Sequence, residues 1–212
     1  ADAVRFTLCA LASPGRDIKL DPQRLDGYRA FATKLWNAAR FLEMNGVRVQ
    51  PGYDPAAATD PLARWLLAKA DAAITEATAA LERFRFDDYA AALYGFAWNT
   101  YCDWFIEFAK PVLNGPDGAE KAQVQGAAQH VLGVVLRLLH PVMPFVTAEL
   151  WEKLGYGDAT GLTTAAWPQP SSVTAAGEGI DLAIAAIGAI RSARSALNVP
   201  AVAPLASAGD TL

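Results

Sequence analysis

Lys34-Leu35-Trp36-Asn37-Ala38-Ala39-Arg40-Phe41, with Phe31 before it and Leu42 after it, decides how this chain is read. At about 100° per residue, Phe31, Leu35, Ala38 and Leu42 fall on one narrow face, so the stretch is a helix packed on a core. Lys34, Asn37, Arg40 and Phe41 fall on the flank beside that face. A cation, an amide, a guanidinium and an aromatic ring therefore share the part of the helix that packing does not need. Such a set suits a splayed single-stranded base: the ring stacks, the amide and guanidinium read an edge, and the cation meets phosphate. The same spacing also describes an ordinary amphipathic helix with a mixed outer surface.

Working outward, the chain reads as helix almost throughout. Residues 1–12 look like the end of a helix, and Pro14-Gly15 turns the loop that follows, where Arg16 and Asp17 could form a local ion pair. Asp21-Pro22 is a cap followed by proline at the first helical position, and Asn45-Gly46 closes that helix. Residues 46–60 are a loop, and Asp60-Pro61 opens a helix to about Phe84. Asp87 is read as the cap of the next helix, which buries Leu93, Phe96, Thr100 and Trp104 and stops before Pro111. Asn99, Asp103 and Glu107 make a polar stripe on it, a solvated or interhelix face. A fifth helix covers about Ala119 to His140, and a short one runs through Thr147 to Lys153 after Pro141 and Pro144. Residues 155–177 carry an extended piece from Leu162 to Trp167. A last helix from Glu178 to Leu197 leads into a Pro- and Ala-rich tail. The expected fold class is all-α: a helical bundle over 1–154, with an irregular appendix, last helix and tail over 155–212.

Hydrophobic residues make up 53% of the 212, which excludes a disordered chain and supports a sizeable core. No apolar run is long enough for a membrane span, so no membrane partner is expected. Cys9 and Cys102 stand alone in apolar helical settings and read as buried free thiols of a reducing compartment. His130 and His140 have no carboxylate or thiol cluster around them, so no metal is expected. The net charge of −4 argues against nucleic acid, yet residues 1–48 hold eight Lys or Arg against five Asp or Glu. The basic excess lies in the segment carrying the decisive helix, and its size suits a grip on one loop better than a track along a duplex.

Ala1-Asp2-Ala3-Val4-Arg5-Phe6, Ser13-Pro14-Gly15-Arg16-Asp17-Ile18, Asp26-Gly27-Tyr28-Arg29 and Lys34 to Phe41 follow one another in a familiar order. So do Phe84-Arg85-Phe86-Asp87, Trp98-Asn99, Cys102-Asp103-Trp104, Ala109-Lys110-Pro111, Leu138 to Phe145, Glu149-Leu150-Trp151, Ala166-Trp167-Pro168, Ile190-Arg191 and Asn198-Val199-Pro200. Over about 200 residues the chain resembles the anticodon-binding domain of valyl-tRNA synthetases. The His140-Pro141 and Met143-Pro144-Phe145 segment is shared with isoleucyl and leucyl enzymes; Gly15 to Ile18 and Lys34 to Phe41 point to the valyl branch.

The resemblance implies a cytoplasmic synthetase that joins valine to tRNA(Val) with ATP. It implies that this chain is a fragment working beside a catalytic domain of the same polypeptide, since His-x-Gly-His and Lys-Met-Ser-Lys-Ser do not occur here. The fragment itself is then no enzyme and needs no cofactor; ATP belongs to the parent. Its partner is the anticodon loop of tRNA(Val), whose last two anticodon bases are A and C. On this view Phe41 stacks on a base, Arg40 and Asn37 touch an edge or sugar, and Lys34 neutralises phosphate or reaches a base acceptor. Arg24 and Arg29 are further contacts; the family often has a basic residue at the place of Gln23, which is neutral here. The competing reading is a helical scaffold without RNA, told apart by whether Phe41 is partly exposed or buried in the bundle. A closer rival is the same domain of an isoleucyl or leucyl enzyme.

Overall fold

Asp-Pro pairs start the two longest helices. In the computed structural model, which describes residues 1–200 except Arg16, Lys19 and 174–176, α1 spans Asp2–Leu11, α2 Pro22–Met44 and α3 Pro61–Glu82. Asp21 accepts from the Gln23 amide at 2.9 Å and Asp60 from the Ala63 amide at 2.8 Å, so each aspartate satisfies one orphan donor where proline has none. Asn45 closes α2, and Gly46, at φ +75°, takes the left-handed turn that a Cβ would disfavour. The Arg16–Asp17 pair and the tail beyond Pro200 lie outside the described residues.

After α3 the chain departs from expectation. Helix α4 begins at Phe86, so Asp87 is not the cap but sits in the first turn. Its carboxylate accepts from Arg85 Nε and Nη2, both at 3.0 Å, and from Ser13 Oγ at 2.9 Å, tying the first loop to this helix. From α4 (Phe86–Tyr94) the chain runs without a break through a π-helical segment, Gly95–Phe105, into α5 (Ile106–Leu113), which contains Pro111. The expected burial of Thr100 and Trp104 fails for this reason. With i→i+5 pairing the buried positions recur at about five: Phe96 and Ala97, then Tyr101 and Cys102, then Ile106, with Phe105 beside it. Thr100 and Trp104 are only half-buried.

Helix α6 (Ala119–Leu139) is mostly apolar from Val124 onward, interrupted by Gln125, Gln129, His130 and Arg137, and it is buried on nearly every side, packed against α3, α5 and α7. Its glycines make room for rings: a Cβ on Gly133 would come within 2.8 Å of the Tyr156 ring, and one on Gly126 within 2.5 Å of Tyr53. Tyr101 donates from its hydroxyl to the Ala128 carbonyl at 2.8 Å, and Tyr89 to that of Leu138, so both buried phenols are satisfied. Helix α7 spans Pro144–Lys153. Asp2 of α1 accepts from the Phe145 and Val146 amides at 3.2 and 2.7 Å, a cap lent by another helix to the positive end of α7.

Leu162 lies in a short helix, α8 (Ala159–Thr164), capped by Asp158, and not in an extended piece; extended backbone begins at Ala165. Trp167 Nε1 donates to Thr78 Oγ1 at 2.9 Å, and the Ser171 amide to Asp71 at 2.8 Å, so this segment belongs to the bundle. The chain thus divides at 176/177, against the expected 154/155. The second unit holds α9 (Glu178–Ala196), closed by the Val199 amide donating to the Arg194 carbonyl at 2.9 Å. Among the described residues there is no strand, and no helix is long and apolar enough to cross a membrane.

Candidate nucleic-acid interface

Helix α2 is 23 residues long, about 34 Å at 1.5 Å per residue. Phe31, Leu35, Ala38, Ala39 and Leu42 are buried against α1 and the π-helical segment, as the apolar period dictates. Phe6, Tyr28, Phe31 and Tyr94 pack ring to ring behind it at 4.8 to 6.5 Å, which fixes the inner face. The outer face is left to solvent. Asn37 and Arg40 are exposed on it, and Arg40 makes no ion pair or hydrogen bond among the described residues. Phe41 is half-buried. Met44, one turn past Arg40, is 79% exposed and extends the apolar part of this surface; the sequence reading passed over it because it ends the helix.

The structure therefore brings Asn37, Arg40 and Phe41 together within little more than one turn. Arg29 shares the side of Arg40 but lies about 16 Å away along the axis, and Arg24 lies farther still, in the first turn. Arg29 is tied to Asp26 at 2.9 Å in a largely solvated pair, so part of its charge is already answered. An open depression of about 510 Å³ runs along this face, lined by Asp26, Arg29, Ala30, Thr33, Lys34 and Asn37.

Lys34 is on the expected flank but is not a free cation. It is ion paired with Asp103, and its Nζ lies 3.8 Å from the centre of the Trp98 ring. The side chain keeps 23% of its surface exposed, on the depression. Trp98 in turn stacks on Tyr94, ring centres 5.3 Å apart and planes at 13°. Of the polar stripe on this helix, Asp103 is thus an interhelix partner, while Glu107 pairs locally with Lys110. Sequence reasoning missed Trp98 and Asp103 as a unit, because an α-helical period does not place them side by side.

The remaining candidates are quiet. Burial pushes the Cys9 thiol up to about 11 and that of Cys102 up to about 12, so neither is a thiolate at neutral pH; Cys9 is half-buried, not fully buried as expected. His140 shares a hydrogen bond with Thr147 Oγ1 at 2.8 Å. Among the described residues no group of three His, Cys, Asp or Glu is placed to hold a metal.

Comparison with known proteins adds to this geometry. The family model for the anticodon-binding domain of tRNA ligase matches residues 63–208. The chain is 54% identical over 204 residues to the valine–tRNA ligase of Granulibacter bethesdensis, covering 94% of this chain and 23% of that protein. It is 49% identical over 218 residues to the valine–tRNA ligase of Caulobacter vibrioides, covering 100% and 24%. That of Gluconobacter oxydans is also 49% identical, over 203 residues, covering 94% and 22%. The chain thus spans between a fifth and a quarter of the length of these relatives. Among solved structures, the ternary complex of Agrobacterium radiobacter K84 agnB2 LeuRS-tRNA-LeuAMS superposes with a TM-score of 0.61 at 19% identity, covering 82% of this chain and 21% of that one, a likeness of fold.

Proposed function

Because the chain belongs to the anticodon-binding domains of tRNA ligases, we propose that the outer face of α2 receives the anticodon loop of a valine tRNA. The surrounding polypeptide is then a cytoplasmic valine–tRNA ligase, whose catalytic part, joined in cis, supplies ATP chemistry and the valine site. The observation that carries the reading is Phe41, partly exposed beside the exposed Arg40 and Asn37. A ring at the edge of the core is rigid and presents one face, as base stacking requires. A partly bare aromatic next to an unpaired guanidinium suits a stacked base better than it suits a bundle serving only as a scaffold. The identity of 54% to a valine–tRNA ligase supports the valyl assignment over the isoleucyl or leucyl one.

The test is titration of this chain with a valine anticodon stem-loop and with one whose last two anticodon bases are exchanged. The matched loop should bind more tightly. Phe41→Ala should weaken binding by about 1–3 kcal/mol, the loss of one base stack. Asn37→Ala and Arg40→Ala should chiefly erode the preference. Equal affinity for the two loops at every salt concentration would leave the scaffold reading in its place.

A further inference from the structure

The π-helical segment does for α2 what an α-helix could not. At 3.6 residues per turn, Trp98 and Asp103 would point about 140° apart around the axis. With i→i+5 pairing the winding is looser, so the fifth residue turns back toward the side of the first, and both side chains reach Lys34. Tyr94, stacked on Trp98, holds the indole plane in place from within the same helix.

We infer that Trp98 and Asp103 are positioning residues for RNA recognition, holding Lys34 so that its ammonium offers a hydrogen-bond donor to a base edge instead of serving as a phosphate counter-charge. The inference rests on the anticodon-loop reading of α2. An ammonium has three N–H donors, and one engaged with Asp103 leaves others for a ligand in the depression that Lys34 shares with Asn37. Its charge, however, is already answered by a carboxylate, so the pair as a whole adds little to the attraction for phosphate. A lysine on a free four-carbon stem samples many positions, whereas one held over a ring and against a carboxylate is preorganised for a single acceptor.

Salt titrations with the same two stem-loops separate the roles. Lys34→Ala combined with Asp103→Asn, which removes both charges of the pair, should cut the preference for the matched loop by about fivefold, the low end for a base-edge contact, and leave the slope of log affinity against log salt as in the wild type. Asp103→Asn keeps the side-chain shape but frees the cation. Its salt slope should steepen by about 0.7, the value for one single-strand phosphate, while the preference falls as in the double variant. Asp103→Glu should restore both readouts, and Trp98→Leu should lose preference, with thermal melts confirming that each variant folds. The inference is overturned if the double variant flattens the slope by about 0.7 and keeps the preference, or if Asp103→Asn alone matches the wild type in both. A wild-type chain indifferent to the base exchange removes the anticodon reading itself, and this inference with it.

Discussion

His130 lies half-buried against the Tyr53 ring, centres 5.5 Å apart. Burial, and then the nearby Arg137, hold its pKa below the ordinary 6.5, with Asp71 opposing weakly. A histidine that resists protonation in the fold contributes stability that is whole above 6.5 and declines as pH falls below it. His140 is lowered by burial too, so both act in the same direction. The melting temperature should therefore drop as pH goes from 7.5 to 5, and His130→Gln should flatten part of that slope, leaving the share of His140. An unchanged slope in the variant would refute the assignment. Asp87 acts elsewhere: the hydrogen bonds from Arg85, foremost, and Ser13 hold its pKa well down, so its contribution is kept above 3.8 and lost only in stronger acid. The candidate site was legible at this scale where it followed helical spacing, as Asn37, Arg40 and Phe41 do. The partners of Lys34 come from another helix some sixty residues later, and no local pattern announces them.

At the level of elements, capping chemistry placed α2 and α3 within a residue or two, because Asp-Pro and Asn-Gly act locally and owe nothing to the rest of the fold. The π-winding from Gly95 to Phe105 was invisible for the opposite reason: aromatic and small residues that suit an α-helix equally well are wound differently only by what they pack against. Glycines show how far such context reaches. Gly27 in α2 has open space around its would-be Cβ, so Gly27→Ala should stabilise the chain by about 0.5–1 kcal/mol. Gly133 in α6 sits under a Tyr156 ring pinned by its hydroxyl on the Gln129 carbonyl and by Trp151 at 4.7 Å. Gly133→Ala should destabilise by about 1–3 kcal/mol, because that ring has nowhere to go. Denaturant midpoints of the two variants check both signs, and shifts in the same direction would contradict this account.

For the molecule as a whole, the net charge of −4 is a poor guide, since a local basic excess sits on an acidic body. On the proposed reading, one loop-sized surface would neutralise few phosphates, without the contacts that the rest of a ligase adds. Binding of an entire valine tRNA by this chain should therefore be weaker by orders of magnitude than by a full-length relative, with a shallow salt dependence. The chain should also show no valine-dependent exchange of pyrophosphate into ATP, as it lacks the nucleotide-binding signatures. Measurable exchange by the purified chain would refute its reading as a binding domain.

The winding between Tyr94 and Ile106 also makes chain length itself a structural quantity. Deleting one residue there while the winding is kept turns every later position by roughly a quarter-turn, swinging Ala109 and Leu113 away from the core and bringing polar neighbours such as Glu107 toward it. The loop over 46–60 can absorb an insertion at its exposed tip, but this segment cannot. Its residue count is held as firmly as the identity of any buried side chain, and it works as a ruler that keeps the lysine latch and the core in one register.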